Sequence, residues 1–317
     1  MKAAISLVIA LLALELHAPA FQESSGKFVL GVLRRDGIVA PFAMFDGRRW
    51  RARWPIDVRN RELPISLDDV PDSWWGVEPA PKTMAIWRDG QRAGSLNLNG
   101  VTMTPLMCQP RITLKSDYKP SSAAPPPFEK PYPKDGVVTA GDVTLERIVS
   151  IEKGSADWNR AIILITDQFN RQETAASREF TSWRHPVAEK QRKLVPIAIE
   201  ALYRAPTEDP AWTAYFVEAV RQYPPGREDR DGCGLATFAS GWVLVGPKAE
   251  SKVHISAKVT YCDRKGVSYM LPFGLIRADG KVYWVYQFSG FEEEWYEVAE
   301  PTRRGVDSHV AFPAGGC

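Results

Sequence analysis

Val267-Ser-Tyr-Met-Leu-Pro-Phe-Gly-Leu-Ile-Arg277 and Lys281-Val-Tyr-Trp-Val-Tyr-Gln-Phe-Ser289 flank the tripeptide Ala278-Asp279-Gly280. Both runs are rich in aromatic and β-branched residues, which suit a pleated, half-buried surface. Asp-Gly between them is a hairpin signal, because Asp and Gly tolerate the positive φ of a type I′ turn. Further runs of the same kind precede them at 212–223, 234–245 and 252–262, separated by short turns. They predict an antiparallel meander, curved or closing on itself. The segment 193–204 fits a helix face and a strand face about equally, and Pro196 inside it favours a strand.

Asp-Gly occurs six times, at Asp36, Asp46, Asp89, Asp135, Asp231 and Asp279. The stretch Gly31–Val39 resembles Gly274–Val282 at an offset of 243, with Phe45 and Gly47 matching Phe288 and Gly290. Convergence of hairpins on similar turn residues explains this more simply than a repeat does.

One helix is expected near the start of the second half. Ser155 and Asp157 suit an N-terminus, and Trp158, Ile162, Ile165 and Phe169 recur at helical spacing. Residues 116–136 hold six prolines, which lack a donor N–H and fix φ. They read as a semi-rigid linker. The expected architecture is therefore mainly β with a minor helical part. A signal peptide (1–20) precedes a small β domain (21–115), the Pro-rich linker (116–136) and an α+β domain with an antiparallel meander (137–317).

The expectation of export rests on Lys2, the apolar run Ala3–Leu14 and the small residues Ala18 and Ala20, which together form a secretory signal pattern. That run is too short to span a bilayer, and no other stretch approaches the required length. Localisation is thus expected to be secreted or periplasmic. The four cysteines agree, since an even count in an oxidising compartment points to disulfides. Cys233 and Cys262 face each other if 234–245 and 252–262 form a hairpin about Gly246-Pro247-Lys248-Ala249, which leaves Cys108 and Cys317 to each other.

Lys+Arg 40 against Asp+Glu 38 gives a net charge of +2, which argues against a nucleic-acid partner. No G-x-S-x-G, P-loop, H-E-x-x-H or G-x-G-x-x-G is present. His185, His254 and His309 are too scattered to nominate a metal site, and no cofactor is expected.

Two function classes remain. The first is a non-catalytic binding or interaction protein for a glycan or cell-envelope component. Arg49, Arg51 and Arg53 alternate with Trp50 and Trp54 to form a basic and aromatic strand. Trp74 and Trp75, with Trp87 and Trp284, form an aromatic platform in that reading, although core packing is the plainer role for tryptophan. The alternative is an exported carbohydrate- or envelope-polymer hydrolase. A hairpin centred near residue 209 sets Glu200 opposite Glu218, a carboxylate pair suited to acid/base work. Its plainer counterpart has both on a wet face, paired with Arg204 and Arg221. The acidic run Phe291–Glu297 reads as a short solvated helix, with cation binding as the sharper alternative.

Overall fold

The computed structural model describes Ser24 and residues 26–52, 66–70, 75–106, 109–120, 134–179, 184–224, 234–290 and 293–316. The signal-like segment 1–20, Arg53, Trp74, Cys108, Cys233 and Cys317 lie outside the described residues. The chain is mainly antiparallel β with a minor helical part, as the sequence predicts.

The first sheet contains β1 (Phe28–Arg34), β2 (Ile38–Phe45), β3 (Trp50–Arg51), β4 (Thr83–Arg88), β5 (Gln91–Leu106), β6 (Gln109–Ser116) and β7 (Lys134–Gly141). Its order is β1-β7-β4-β5-β6-β2-β3, and β1 also pairs with β2. Six strands thereby close into a ring, with β3 attached outside it. Closure removes free sheet edges. It occurs here, in the first sheet, whereas the sequence placed it in the meander. It also moves the boundary drawn at 116–136: β7 starts at Lys134 and lies between β1 and β4, so the first unit runs on through Gly141. The barrel interior holds Val29, Leu33, Trp75, Met84, Leu96, Val101, Leu114 and Val138.

The second sheet, ordered β12-β11-β10-β9-β8, comprises β8 (Val149–Ser150), β9 (Ala198–Pro206), β10 (Thr213–Gln222), β11 (Leu235–Val245) and β12 (Ser251–Tyr261). Helix α1 (Ala156–Ala176) packs on one face, and a four-residue α2 (Glu189–Arg192) precedes β9. Ser155 caps α1 by accepting the Trp158 N–H at 3.3 Å. Trp158, Ala161, Ile165 and Phe169 then meet Ile199, Leu202, Val217, Val243 and Ile255. The segment 193–204 begins just past α2 with a turn and continues as strand β9 from Ala198, and Pro196 falls just before the strand.

The third sheet is the meander β13 (Tyr269–Ala278), β14 (Lys281–Gly290), β15 (Glu293–Pro301) and β16 (Val306–Gly316). It is covered on both faces. Tyr283, Val285, Tyr296 and Val298 pack on the outside of the barrel with Phe28, Phe42 and Trp50. Val282, Trp284, Tyr286 and Ala299 pack on the second sheet with Phe216, Trp242 and Leu244. Barrel, third sheet, second sheet and helix thus form successive layers, and the nearly uninterrupted apolar run of β14 is what burial on both faces requires.

The Asp279-Gly280 turn has both φ angles positive, 53° and 70°, as type I′ demands, and Asp89-Gly90 repeats this at 49° and 72°. At Asp36-Gly37 only the glycine is positive, and Arg34 pairs with Asp36 where Arg277 pairs with Glu146. The matched residues of the two hairpins therefore make different contacts. The acidic run is a correction: from Glu293 onward it is strand, with Glu294 and Tyr296 facing the barrel and Trp295 and Glu297 facing the second sheet.

Candidate functional site: an aromatic groove between two sheets

The expected Glu200–Glu218 pair does not form. A register shift between Glu218 and Ala219 sets Glu218 opposite Ala201 and leaves Glu200 as the extra residue. Glu218 is 4% exposed, and one oxygen accepts the Met270 N–H at 2.5 Å, joining the second sheet to the third. Glu200 pairs with Arg264, whose guanidinium stacks over Phe238 and Tyr269 at 4.2 and 4.3 Å. The two carboxylates have separate partners and separate structural roles. Arg204 and Arg221 go elsewhere, to Asp157 and Glu173.

The basic and aromatic strand is also reassigned. Arg51 bonds Asp46 at 2.9 and 3.0 Å. The Arg49 backbone N–H, the Arg51 side chain and the Arg48 N–H hold the Asp46 carboxyl below its usual pKa. Arg49 is exposed, while Trp50 turns inward onto Phe28, Phe45 and Tyr283, as strand alternation requires. Trp75 is 2% exposed inside the barrel, Trp284 is fully buried between sheets, and Trp87 lies in the core and donates to Thr139 at 2.9 Å. These three tryptophans form no surface platform. The three histidines do not converge: His185 packs on Tyr223, His309 bonds Glu300, and His254 is exposed on β12. Among the described residues no group of His, Cys, Asp and Glu could hold a metal ion.

Trp295 is the one described tryptophan that is neither buried nor in the core. It stands on β15 next to Phe288 of β14, with ring centroids 4.9 Å apart. Its indole N–H donates to one oxygen of Glu297 at 2.6 Å, and the Tyr286 hydroxyl donates to the other at 2.6 Å. Burial, with Glu297 alongside, raises the Tyr286 phenol pKa well above its usual value, so that hydroxyl stays a donor. Trp242 of β11 closes the floor, 6.0 Å from Tyr286.

Across from this wall runs β12, where His254, Ser256 and Lys258 are exposed although they share the face that turns toward the third sheet. The two sheets therefore part along this line. The gap contains two cavities end to end. One, about 360 Å³, is lined by Phe238, Ser240, Lys258, Phe288, Glu293 and Trp295 among others. The second, about 660 Å³, is lined by Trp242, His254, Tyr286, Glu297, Arg304 and Asp307 among others. Phe238, Ser240 and Trp242 succeed one another at intervals of two, as do His254, Ser256 and Lys258, so both cavities follow the same strands. A cleft of about 700 Å³ at the barrel end is lined mainly by the 77–83 loop and offers Lys27, Glu78 and Lys82 without comparable aromatics.

The groove combines the partly exposed rings of Phe288 and Trp295, a carboxylate fixed by two donors, and serine hydroxyls and the Lys258 ammonium on the opposite lip. Such a site can stack a flat apolar face and exchange hydrogen bonds around its rim. Read as a helix, residues 291–297 show no alternating face, and the groove does not emerge from the sequence. The alternation of Trp295 and Glu297 with Glu294 and Tyr296 was the available signal. Comparison with known proteins gives no match: no family model, no curated protein and no solved structure is similar to this chain.

Proposed function

We propose that this protein is an exported, non-catalytic binding protein whose ligand is a glycan or a glycan-bearing envelope component, held in the groove between β11–β12 and β14–β15. The observation that carries this reading is Trp295, a partly exposed indole fixed in orientation by its bond to Glu297 inside a lined cavity. A rigid ring loses little entropy on binding, so stacking a sugar face on it is favourable. Trp295→Ala should weaken retention on immobilised polysaccharides while leaving the melting temperature within a few degrees of the parent. Unaltered retention across a broad polysaccharide panel would remove the groove from the proposal.

Export is supported by the signal pattern of residues 1–20 and by the cysteines. Cys262 is the one cysteine among the described residues, and it is not a free thiol. Its N–H donates to the Gly234 carbonyl at 3.1 Å, and Gly234 is the residue that follows Cys233 in the sequence. A Cys233–Cys262 disulfide follows as part of the same proposal. Non-reducing peptide mapping should recover these two cysteines in one linked fragment, and recovery of Cys262 linked to Cys108 or Cys317 would refute it. No described helix is long and apolar enough to cross a membrane.

A further inference from the structure

We infer, resting on the groove reading above, that the groove selects acidic saccharides, with a uronate-type carboxylate on Lys258 and its sugar ring on Trp295. Lys258 lines the same cavity as Trp295 and Phe288, projecting from the opposite lip. Among the described residues it has no ion-pair or hydrogen-bond partner. Of the other cations near the groove, Arg264 pairs with Glu200, Lys252 donates to the Arg303 carbonyl at 2.7 Å and covers Trp212, and Arg304 lines the second cavity, not the one that holds Trp295.

Among the described residues, neither facing carboxylate, Glu293 or Glu297, forms an ion pair with Lys258. Glu297 accepts one bond on each oxygen from Tyr286 and Trp295, and Glu293 accepts from Ser268 at 3.2 Å. A sugar seated on Trp295 meets acceptors on the β15 side, suited to its hydroxyl donors, and an unpaired ammonium on the β12 side, suited to a carboxylate. A neutral sugar satisfies the first wall alone. His254, Ser256 and Lys258 succeed one another along one lip, about 7 Å for each two residues, so a polymer that follows the strand meets polar side chains along its length and the Lys258 ammonium at one end.

The test is calorimetric titration of the full chain with an oligogalacturonate and with a neutral oligosaccharide of equal length. Parent, Lys258→Gln and Trp295→Ala proteins are compared at low and high salt, with melting temperatures as folding controls. Lys258→Gln should lower oligogalacturonate affinity roughly tenfold or more, the scale of one charge-assisted hydrogen bond, and leave the neutral ligand unchanged. Trp295→Ala should weaken both ligands, and salt should weaken the acidic one. Equal affinity for the two ligands, or an unchanged oligogalacturonate affinity in Lys258→Gln, overturns acid selection while the groove reading survives if Trp295→Ala still weakens binding. If neither variant alters any binding, or the parent binds neither ligand, both the inference and this ligand class for the groove are lost.

Discussion

Replacing Arg221 by Met should be among the most damaging single substitutions in the second sheet. Arg221 lies on β10, 2% exposed, on the face covered by α1. Its guanidinium donates to Glu173 at 2.5 Å, to Asn170 at 2.9 Å and to the Val195 carbonyl at 3.0 Å, and it stacks on the Phe169 ring at 5.0 Å. Glu173 is buried on α1 and accepts also from Tyr223, with Arg192 at 3.5 Å. Without Arg221 the Glu173 carboxylate keeps a hydroxyl and one longer ion pair, while Asn170 and Val195 lose their donor. Removing one member of a buried pair costs about 3–5 kcal/mol, because the remaining charge stays desolvated. That is a large part of the roughly 5–15 kcal/mol of a typical domain. Arg221→Lys should not restore it, since a single ammonium cannot reach three acceptors held in a fork. Urea unfolding followed by circular dichroism measures the loss, and a cycle with Glu173→Gln measures the coupling, expected at about 1–3 kcal/mol. A loss under about 1 kcal/mol for Arg221→Met, or strict additivity in the cycle, would show that the cluster does not hold the helix to the sheet.

Two further outcomes are expected. His185 packs on Tyr223 at 4.9 Å, and its pKa is lowered from 6.5 to about 4 by burial first and by Arg192 second, against an opposing pull from Glu173. A base with a depressed folded pKa binds its proton preferentially in the unfolded chain, so its contribution to stability is complete above about pH 6.5, falls between about 6.5 and 4, and is flat below. Subtracting the stability–pH curve of His185→Phe from that of the parent should isolate this slope, and parallel curves through the window would contradict the assignment. Gly136 sits at the register shift of β7 with φ 128°, and a Cβ there would meet the Trp87 carbonyl oxygen, whereas Gly26, φ 75°, has nothing near it. Gly136→Ala should therefore lower the melting temperature clearly more than Gly26→Ala, which carries only the conformational cost of positive φ. Equal shifts would mean that β7 does not close the barrel as described.

The strand content was legible because aromatic and β-branched runs punctuated by Asp-Gly have one good reading. Helix α1 was equally legible, its N-cap at Ser155 and its buried face at Trp158, Ile165 and Phe169 both following from spacing. The prolines of 116–136 were read as a boundary on composition alone. Composition says that such a segment forms no central strand, but it is silent on where the chain goes next. Val137-Val138-Thr139 was too short to announce that the barrel needed one more strand.

The sites failed to emerge for a sharper reason, which is that side-chain direction in a sheet has period two. One extra residue reverses every face beyond it. The bulge beside Glu218 was enough to dissolve a carboxylate pair that the symmetric hairpin arithmetic had put together. The third sheet carries the same device at Pro272/Gly274, Glu294/Trp295 and Val298/Ala299. The β14–β15 ladder between them runs without a shift and sets Trp295 opposite Phe288. The groove further depends on two sheets, consecutive in the chain, coming together at one end and parting at the other. Glu218 records the closed end by bonding Met270 across the sheets, and exposed His254, Ser256 and Lys258 record the open one. Those facts concern pairs of residues about 50 and 40 positions apart, Glu218 with Met270 and Lys258 with Trp295. Local propensity can name the residues of such a site, but only the register can say which of them share a wall.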